Sequence, residues 1–132
     1  MASVGVVSLQ LGKLHGQTPV PGTITQNWNT AEATVCIIGA AGTRYKVQSA
    51  ITDISALVGN ITFRMYITVN GVLRQIFPPV LASTVISGTN CAGIALINGT
   101  FGIANALQIT AQSDNIADNG KAIGFEYFLE AM

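Results

Sequence analysis

Between residues 60 and 71 the chain reads Asn-Ile-Thr-Phe-Arg-Met-Tyr-Ile-Thr-Val-Asn-Gly. Ile61, Phe63, Met65, Ile67 and Val69 fall on one side of an extended backbone; Thr62, Arg64, Tyr66 and Thr68 fall on the other. Successive side chains take opposite faces in a strand, so this alternation commits the segment to a half-buried strand. It runs into Asn70-Gly71, a pair favoured in two-residue hairpins because both positions need positive φ. Residues 72 to 77 should return antiparallel. A two-residue loop sets Arg74 opposite Ile67, on the apolar side, which calls for a longer loop or an edge position.

The same period recurs along the chain. Val35 and Ile37 alternate with Thr34 and Cys36; Tyr45, Val47 and Ile51 alternate with Lys46, Gln48 and Thr52. Further strands are expected over 80–87 and 92–97, with Asn98-Gly99 as a second hairpin signal, then over 101–111 and 122–132. In the last, Ile123, Phe125, Tyr127 and Leu129 oppose Glu126 and Glu130. No long window carries helical spacing with caps. Turn signals every ~8–12 residues point to an all-β, antiparallel β-sandwich. A jelly roll of about eight strands in two sheets is the first choice, ahead of an immunoglobulin-like sandwich.

Residues 1–30 read differently. Val4, Val6, Val7, Leu9 and Leu11 could form a short strand, and Pro19 and Pro21 then interrupt regular structure. The expectation is an extended N-terminal arm over 1–30 and one sandwich domain over 31–132, a size suited to a single core.

Charge narrows the function. Charged residues make up only 9% of the chain, with six basic and six acidic, where about 25% is usual. Mean hydropathy is +0.49. The balance leaves no electrostatic footprint for nucleic acid or an anionic membrane, and no apolar run approaches the ~20 residues of a bilayer span. Uncharged, apolar surface is what buried interfaces present, so coverage by copies or partners is expected. The N-terminus lacks the basic and apolar blocks of a signal peptide, which points to folding in a cytoplasm and leaves the sequons at Asn60 and Asn98 as chance matches.

Residues 113–121, Ser-Asp-Asn-Ile-Ala-Asp-Asn-Gly-Lys, concentrate polar groups between two strands. A calcium loop counted from Asp114 would place Ile116 at its third ligand position and Phe125 at its twelfth, where oxygens are needed. The segment reads better as a turn, since Asp and Asn bond their own backbone and Asn119-Gly120 is a turn dipeptide. A looser metal site on Asp114 and Asp118 stays open as the weaker alternative. Cys36 and Cys91 with the single His15 cannot complete a zinc set and read as small buried side chains.

No catalytic set emerges. His15 has no nucleophile motif around it. Glu126 and Glu130 lie ~13 Å apart along a strand, too far for glycoside chemistry. Gly39-Ala-Ala-Gly42 precedes a strand and reads as a turn, not a phosphate cradle. Arg64 with Tyr66, and Arg44 with Lys46, share strand faces as a single-stranded nucleic-acid platform would, but too few cations support them. Trp28 and Tyr66 could serve a sugar-binding surface. No catalytic residue, cofactor or enzyme activity is expected.

The stretches Tyr-Lys-Val-Gln-Ser-Ala-Ile-Thr-Asp-Ile-Ser-Ala-Leu (45–57), Ile-Asn-Gly-Thr-Phe-Gly-Ile (97–103), Gln-Ser-Asp-Asn-Ile-Ala-Asp-Asn-Gly-Lys (112–121) and the closing Phe-Glu-Tyr-Phe-Leu-Glu-Ala-Met resemble small structural proteins encoded among the virion genes of tailed phages and related viruses. The resemblance spans roughly residues 45 to 132 and rests on turns and strand patterns. It implies a capsid decoration, or cement, protein: a small sandwich that often trimerises on a shell of major capsid protein, with its arm over a neighbour. It also implies a virion location after assembly in the host cytoplasm. A tail or spike component that binds carbohydrate through Trp28, Tyr66 and the Asp114–Asp118 loop is the alternative.

Overall fold

A computed structural model of the chain describes residues 17–83, 85–86, 89–90 and 92–131. Its strands are β1 (Gln17–Asn27), β2 (Ala33–Ile38), β3 (Tyr45–Asp53), β4 (Asn60–Val69), β5 (Val72–Gln75), β6 (Val80–Ser83), β7 (Val85–Ile86), β8 (Thr89–Asn90), β9 (Gly93–Ile103), β10 (Leu107–Ser113) and β11 (Asn119–Ala131). One sheet runs β1-β11-β3-β9; the second runs β2-β10-β4-β5, with β6 also on β4; β7 and β8 pair only with each other.

The pairing is nested. β1 lies against β11, β2 against β10, β3 against β9, and β4 against β5 and β6, all antiparallel. The contacts β11–β3 and β10–β4 join these pairs into the two sheets. Because β5 takes residues 66–69 of β4 and β6 takes 60–63, those two act as one strand interrupted around Pro78-Pro79. Counted so, the described sandwich has eight strands, though not the set expected, since β1 falls within the expected arm and 72–77 and 80–87 are expected as separate strands.

The alternation of β4 decides which face is core. Ile61, Phe63, Met65 and Ile67 are buried against Leu107, Ile109 and Ala111 of β10 and, from the opposite sheet, Val47, Ile97, Ile103, Ile123 and Tyr127. The Asn70-Gly71 turn has φ of 52° and 79° and pairs Val69 with Val72, so the two-residue loop forms. Arg74 does sit opposite Ile67. It causes no conflict because β5 is an edge strand exposed at every residue.

Three expectations are corrected. The arm does not extend to residue 30: β1 pairs along its whole length with β11, and Trp28 is wholly buried in the core. Pro19 and Pro21 interrupt nothing because β1 is the sheet's outer strand among the described residues. Both occupy positions of the same parity, so both missing N–H groups can face the open edge, where proline is tolerated. Residues 1–16, including the expected short strand and His15, lie outside the described residues, as do Cys91 and Met132. Second, Asn98-Gly99 is not a hairpin. β9 runs through it, and Gly99, at φ 121°, sits where the register with β3 shifts; a bulge uses the same glycine freedom as a turn. Third, the alternation over 101–111 is cut at 104–106, where the chain crosses from β9 in one sheet to β10 in the other.

Phe63→Ala should cost about 3–5 kcal/mol in urea unfolding, the usual cost of emptying a buried aromatic site. Arg74→Ala on the exposed edge should stay within ~0.5 kcal/mol. Equal losses would contradict this placement of the core.

Candidate functional site

The polar stretch 113–121 carries the chain from β10 to β11, and therefore from one sheet to the other, across one end of the sandwich. Asn115 caps a short 3-10 turn, η1 (Ile116–Asp118), by accepting from the Ala117 N–H at 2.9 Å. That turn points Asp118 into the protein, where its side chain is fully buried. Its Oδ1 accepts from the Val58 N–H at 2.8 Å. Its Oδ2 accepts from the Gly59 N–H at 2.9 Å and the Ser113 hydroxyl at 2.6 Å. Lys121 Nζ lies 3.8 Å from Oδ1. Beside it, Asp114 accepts from the Asn60 N–H at 2.8 Å and the Asn60 side-chain amide at 3.2 Å. The two aspartates thus bind the segment joining β3 to β4.

The same stretch also grips the turn after β1. Asn119 Oδ1 accepts from the N–H groups of Asn29 and Thr30 at 2.8 and 3.2 Å. Asn29 Nδ2 donates to the Ser113 carbonyl at 3.1 Å, and Trp28 Nε1 donates to the Lys121 carbonyl at 2.7 Å. Gly59 makes the approach possible: a Cβ there would stand 2.7 Å from the Asn115 Cβ and 2.8 Å from the Ser113 hydroxyl oxygen.

Asp114 and Asp118 do not converge on a cation. Their oxygens are aimed at backbone and side-chain donors of the chain itself, and no group of three metal-ligating residues occurs among the described residues. Burial works against ionising Asp118. The hydrogen bonds from Ser113, Val58 and Gly59, with Lys121 beside them, outweigh it and hold the carboxyl below its usual range. The chain turns at η1, but Asn119-Gly120, expected as a turn, opens β11, with Gly120 at φ 79° where the register with β1 shifts; the stretch is also the clasp that holds two other loops.

A second polar cluster lies on the outer face of the β2-β10-β4-β5 sheet. Glu32 accepts from the Tyr66 hydroxyl at 2.7 Å and from the Thr110 hydroxyl, and Arg64 Nη1 stands 3.5 Å from its other oxygen. Arg64 also donates to Gln112 at 3.3 Å, and Gln108 donates to Thr34 at 2.8 Å. Burial pushes the Glu32 carboxyl up, but Thr110, Tyr66 and Arg64 together bring it below its usual value. Tyr66 is raised because its proton is held by Glu32. Glu32 carries no signal in the sequence: it precedes β2 alone, and its three partners come from β4 and β10.

The expected sugar contacts are not brought together. Trp28 is in the core and Asp118 is consumed by the clasp, which leaves Tyr66. Glu130 pairs with Lys46 at 3.7 Å, and Glu126 is exposed on the same strand. Cys36 is a buried free thiol that burial pushes up to about 12, far from the range of a reactive thiolate.

No family model and no curated protein matches the chain. Among solved structures it is similar to one described as "Bacillus endospore appendages form a novel family of disulfide-linked pili", at 14% identity over 88% of this chain and 87% of that one, with a TM-score of 0.43. A likeness at that level carries no functional argument.

Two variants test the clasp. Asp118→Ala orphans the buried Gly59 amide and Ser113 hydroxyl and the half-buried Val58 amide and should cost roughly 3 kcal/mol; Gly59→Ala should cost ~1–3 kcal/mol by overpacking. Because the folded Asp118 is lowered, its contribution is complete above the unfolded carboxyl value of about 3.9 and is lost as pH falls through the folded one. The stability gap between wild type and Asp118→Asn should therefore narrow below about pH 4. A constant gap from pH 7 to pH 2 would contradict the assignment.

Proposed function

We propose that the chain is a structural subunit that self-associates, without cofactor or catalysis. The nested pairing of its strands we take as a jelly roll. The observation that carries this reading is where the charges are not. Among the described residues, the open edges of the two sheets are β1, β9, β2 and the β5/β6 pair. Together these strands carry a single charged residue, Arg74. The interior strands β3, β4 and β11 carry Lys46, Asp53, Arg64, Lys121, Glu126 and Glu130. Monomeric sheet proteins place charge, proline or bulges on their edges to block pairing with other chains. Here β1 has two prolines, β2 and β9 are bulged and Pro78-Pro79 interrupt the β5/β6 edge, yet β2 and β5/β6 still present Ile37, Val72, Leu73 and Leu81 at 56%, 47%, 57% and 71% exposure.

A capsid decoration protein, trimeric on a shell of major capsid protein, is the assembly this reading favours, supported by the resemblance in turns and strand pattern and by the charge-poor surface. A second reading, carbohydrate binding during host attachment, keeps one feature: half-buried Tyr66 among the planar polar side chains of Arg64, Gln108 and Gln112. A glycan array that returns hits lost in Tyr66→Ala would favour it.

Light scattering over a range of protein concentrations tests the leading reading. The mass should exceed that of the monomer, and Leu73→Lys and Ile37→Lys should lower it. Ile116→Lys, at an exposed residue away from the edges, should not. A wild type that is monomeric throughout, or equal sensitivity at Ile116, would overturn it.

A further inference from the structure

The sequence contains three Asn-Gly pairs, at 70–71, 98–99 and 119–120. Asparagine before glycine is chemically labile. The glycine nitrogen attacks the asparagine Cγ, a new C–N bond closes a five-membered succinimide, and ammonia leaves. Water then opens either carbonyl, giving aspartate or isoaspartate. The net reaction consumes one water and releases one ammonia, and needs no other reagent. Glycine favours it because no Cβ hinders the attack and its backbone is the freest to adopt the required geometry.

The three sites are alike in sequence and unlike in structure. Asn119 Oδ1 accepts two backbone hydrogen bonds, from Asn29 and Thr30. Moving its Cγ onto the Gly120 nitrogen would break both and loosen the clasp. Asn98 lies inside β9 in register with Ser49, so the ladder holds its own backbone, with the bulge at Gly99 directly after it. Asn70 and Gly71 are both exposed at the tip of the β4–β5 hairpin. In a two-residue hairpin the central amides lie outside the ladder, so the Gly71 nitrogen points to solvent.

We propose that Asn70 is the site of spontaneous deamidation in the folded protein, and that the product weakens self-association at the β5 edge. The second half rests on the self-assembly reading above. Val69, Val72 and Leu73 surround the site at 46%, 47% and 57% exposure. A carboxylate placed there supplies the edge charge that the strand otherwise lacks beyond Arg74. The isoaspartate product does more. It routes the main chain through the side-chain carbon, lengthening the turn that sets the Val69–Val72 pair. The modification would thus act as an age-dependent brake on assembly.

Peptide mapping by mass spectrometry decides the site. Folded full-length protein and protein unfolded in urea are incubated at mildly alkaline pH, and conversion is followed at each Asn-Gly peptide. In urea the three should convert at similar rates. In the folded protein Asn70 should lead Asn119 by about tenfold or more, the effect of two hydrogen bonds that must first open. Asn119 or Asn98 converting as fast as Asn70 in the folded protein would overturn the assignment. The consequence is read separately, by light scattering of Asn70→Asp beside Asn70→Ser. The Asp variant alone should lower the association constant about fivefold, the size of one unfavourable charge at a strand contact. Equal association of the two variants would overturn the brake. A wild type that never associates would overturn the brake together with the self-assembly reading, while the mapped rates would still decide the site.

Discussion

One buried carboxylate holds the end of this sandwich together. Asp118 is removed from water, which opposes its charge, and is then given backbone donors from Val58 and Gly59 and a hydroxyl donor from Ser113 of its own stretch. A buried charge is tolerated only when its lone pairs are met in this way. The consequence is structural economy. The connection from β10 to β11 has to cross between sheets, and a crossing loop would leave its own backbone and that of its neighbours unpaired. By binding Val58 and Gly59 through Asp118, Asn60 through Asp114, and Asn29 and Thr30 through Asn119, one short segment satisfies two other loops. The same contacts seal Trp28 beneath it, with its indole N–H paired to Lys121. The polar residues that look like a site in the sequence are spent on the fold.

With that stretch accounted for, the chemistry left on the surface is sparse. Glu32, Arg64, Tyr66 and Thr110 satisfy one another on one sheet face. Glu130 and Lys46 do the same on the other sheet. What remains is a set of sheet edges almost without charge, which is costly for a monomer and useful for a subunit. The unpaired N–H and C=O groups of an edge strand are a template for another strand, and the exposed aliphatic side chains beside them add area to any contact. These edges are what supports the proposed structural, self-associating role.

The fold was legible where one face is buried and the other is wet. β4 could be placed residue by residue from its alternation and β11 in its buried parity, though it begins three residues earlier than expected, and the Asn70-Gly71 hairpin followed from its φ requirement. Legibility failed where one residue type serves two geometries. Gly99 marks a bulge, not a turn, because the same left-handed glycine fits both. Pro19 and Pro21 read as breakers because a sequence does not reveal which strand lies at an edge. The clasp was half visible: Asp and Asn signalled a turn, but their partners at 28–30 and 58–60 are distant in sequence, and nothing local names them. Gly59 and Glu32 were silent for the same reason, since each matters only through what the fold brings against it.

Hydrogen exchange on the backbone amides of β2, β5 and β9, compared between dilute and concentrated protein, addresses the central claim that uncharged edges are where copies meet. The account predicts that slow exchange appears with concentration at alternating positions of at least one of these edge strands, while interior β4 and β10 are unchanged. Edge amides that exchange at the same rate at every concentration, in protein shown to associate, would contradict it and move the contact to a sheet face.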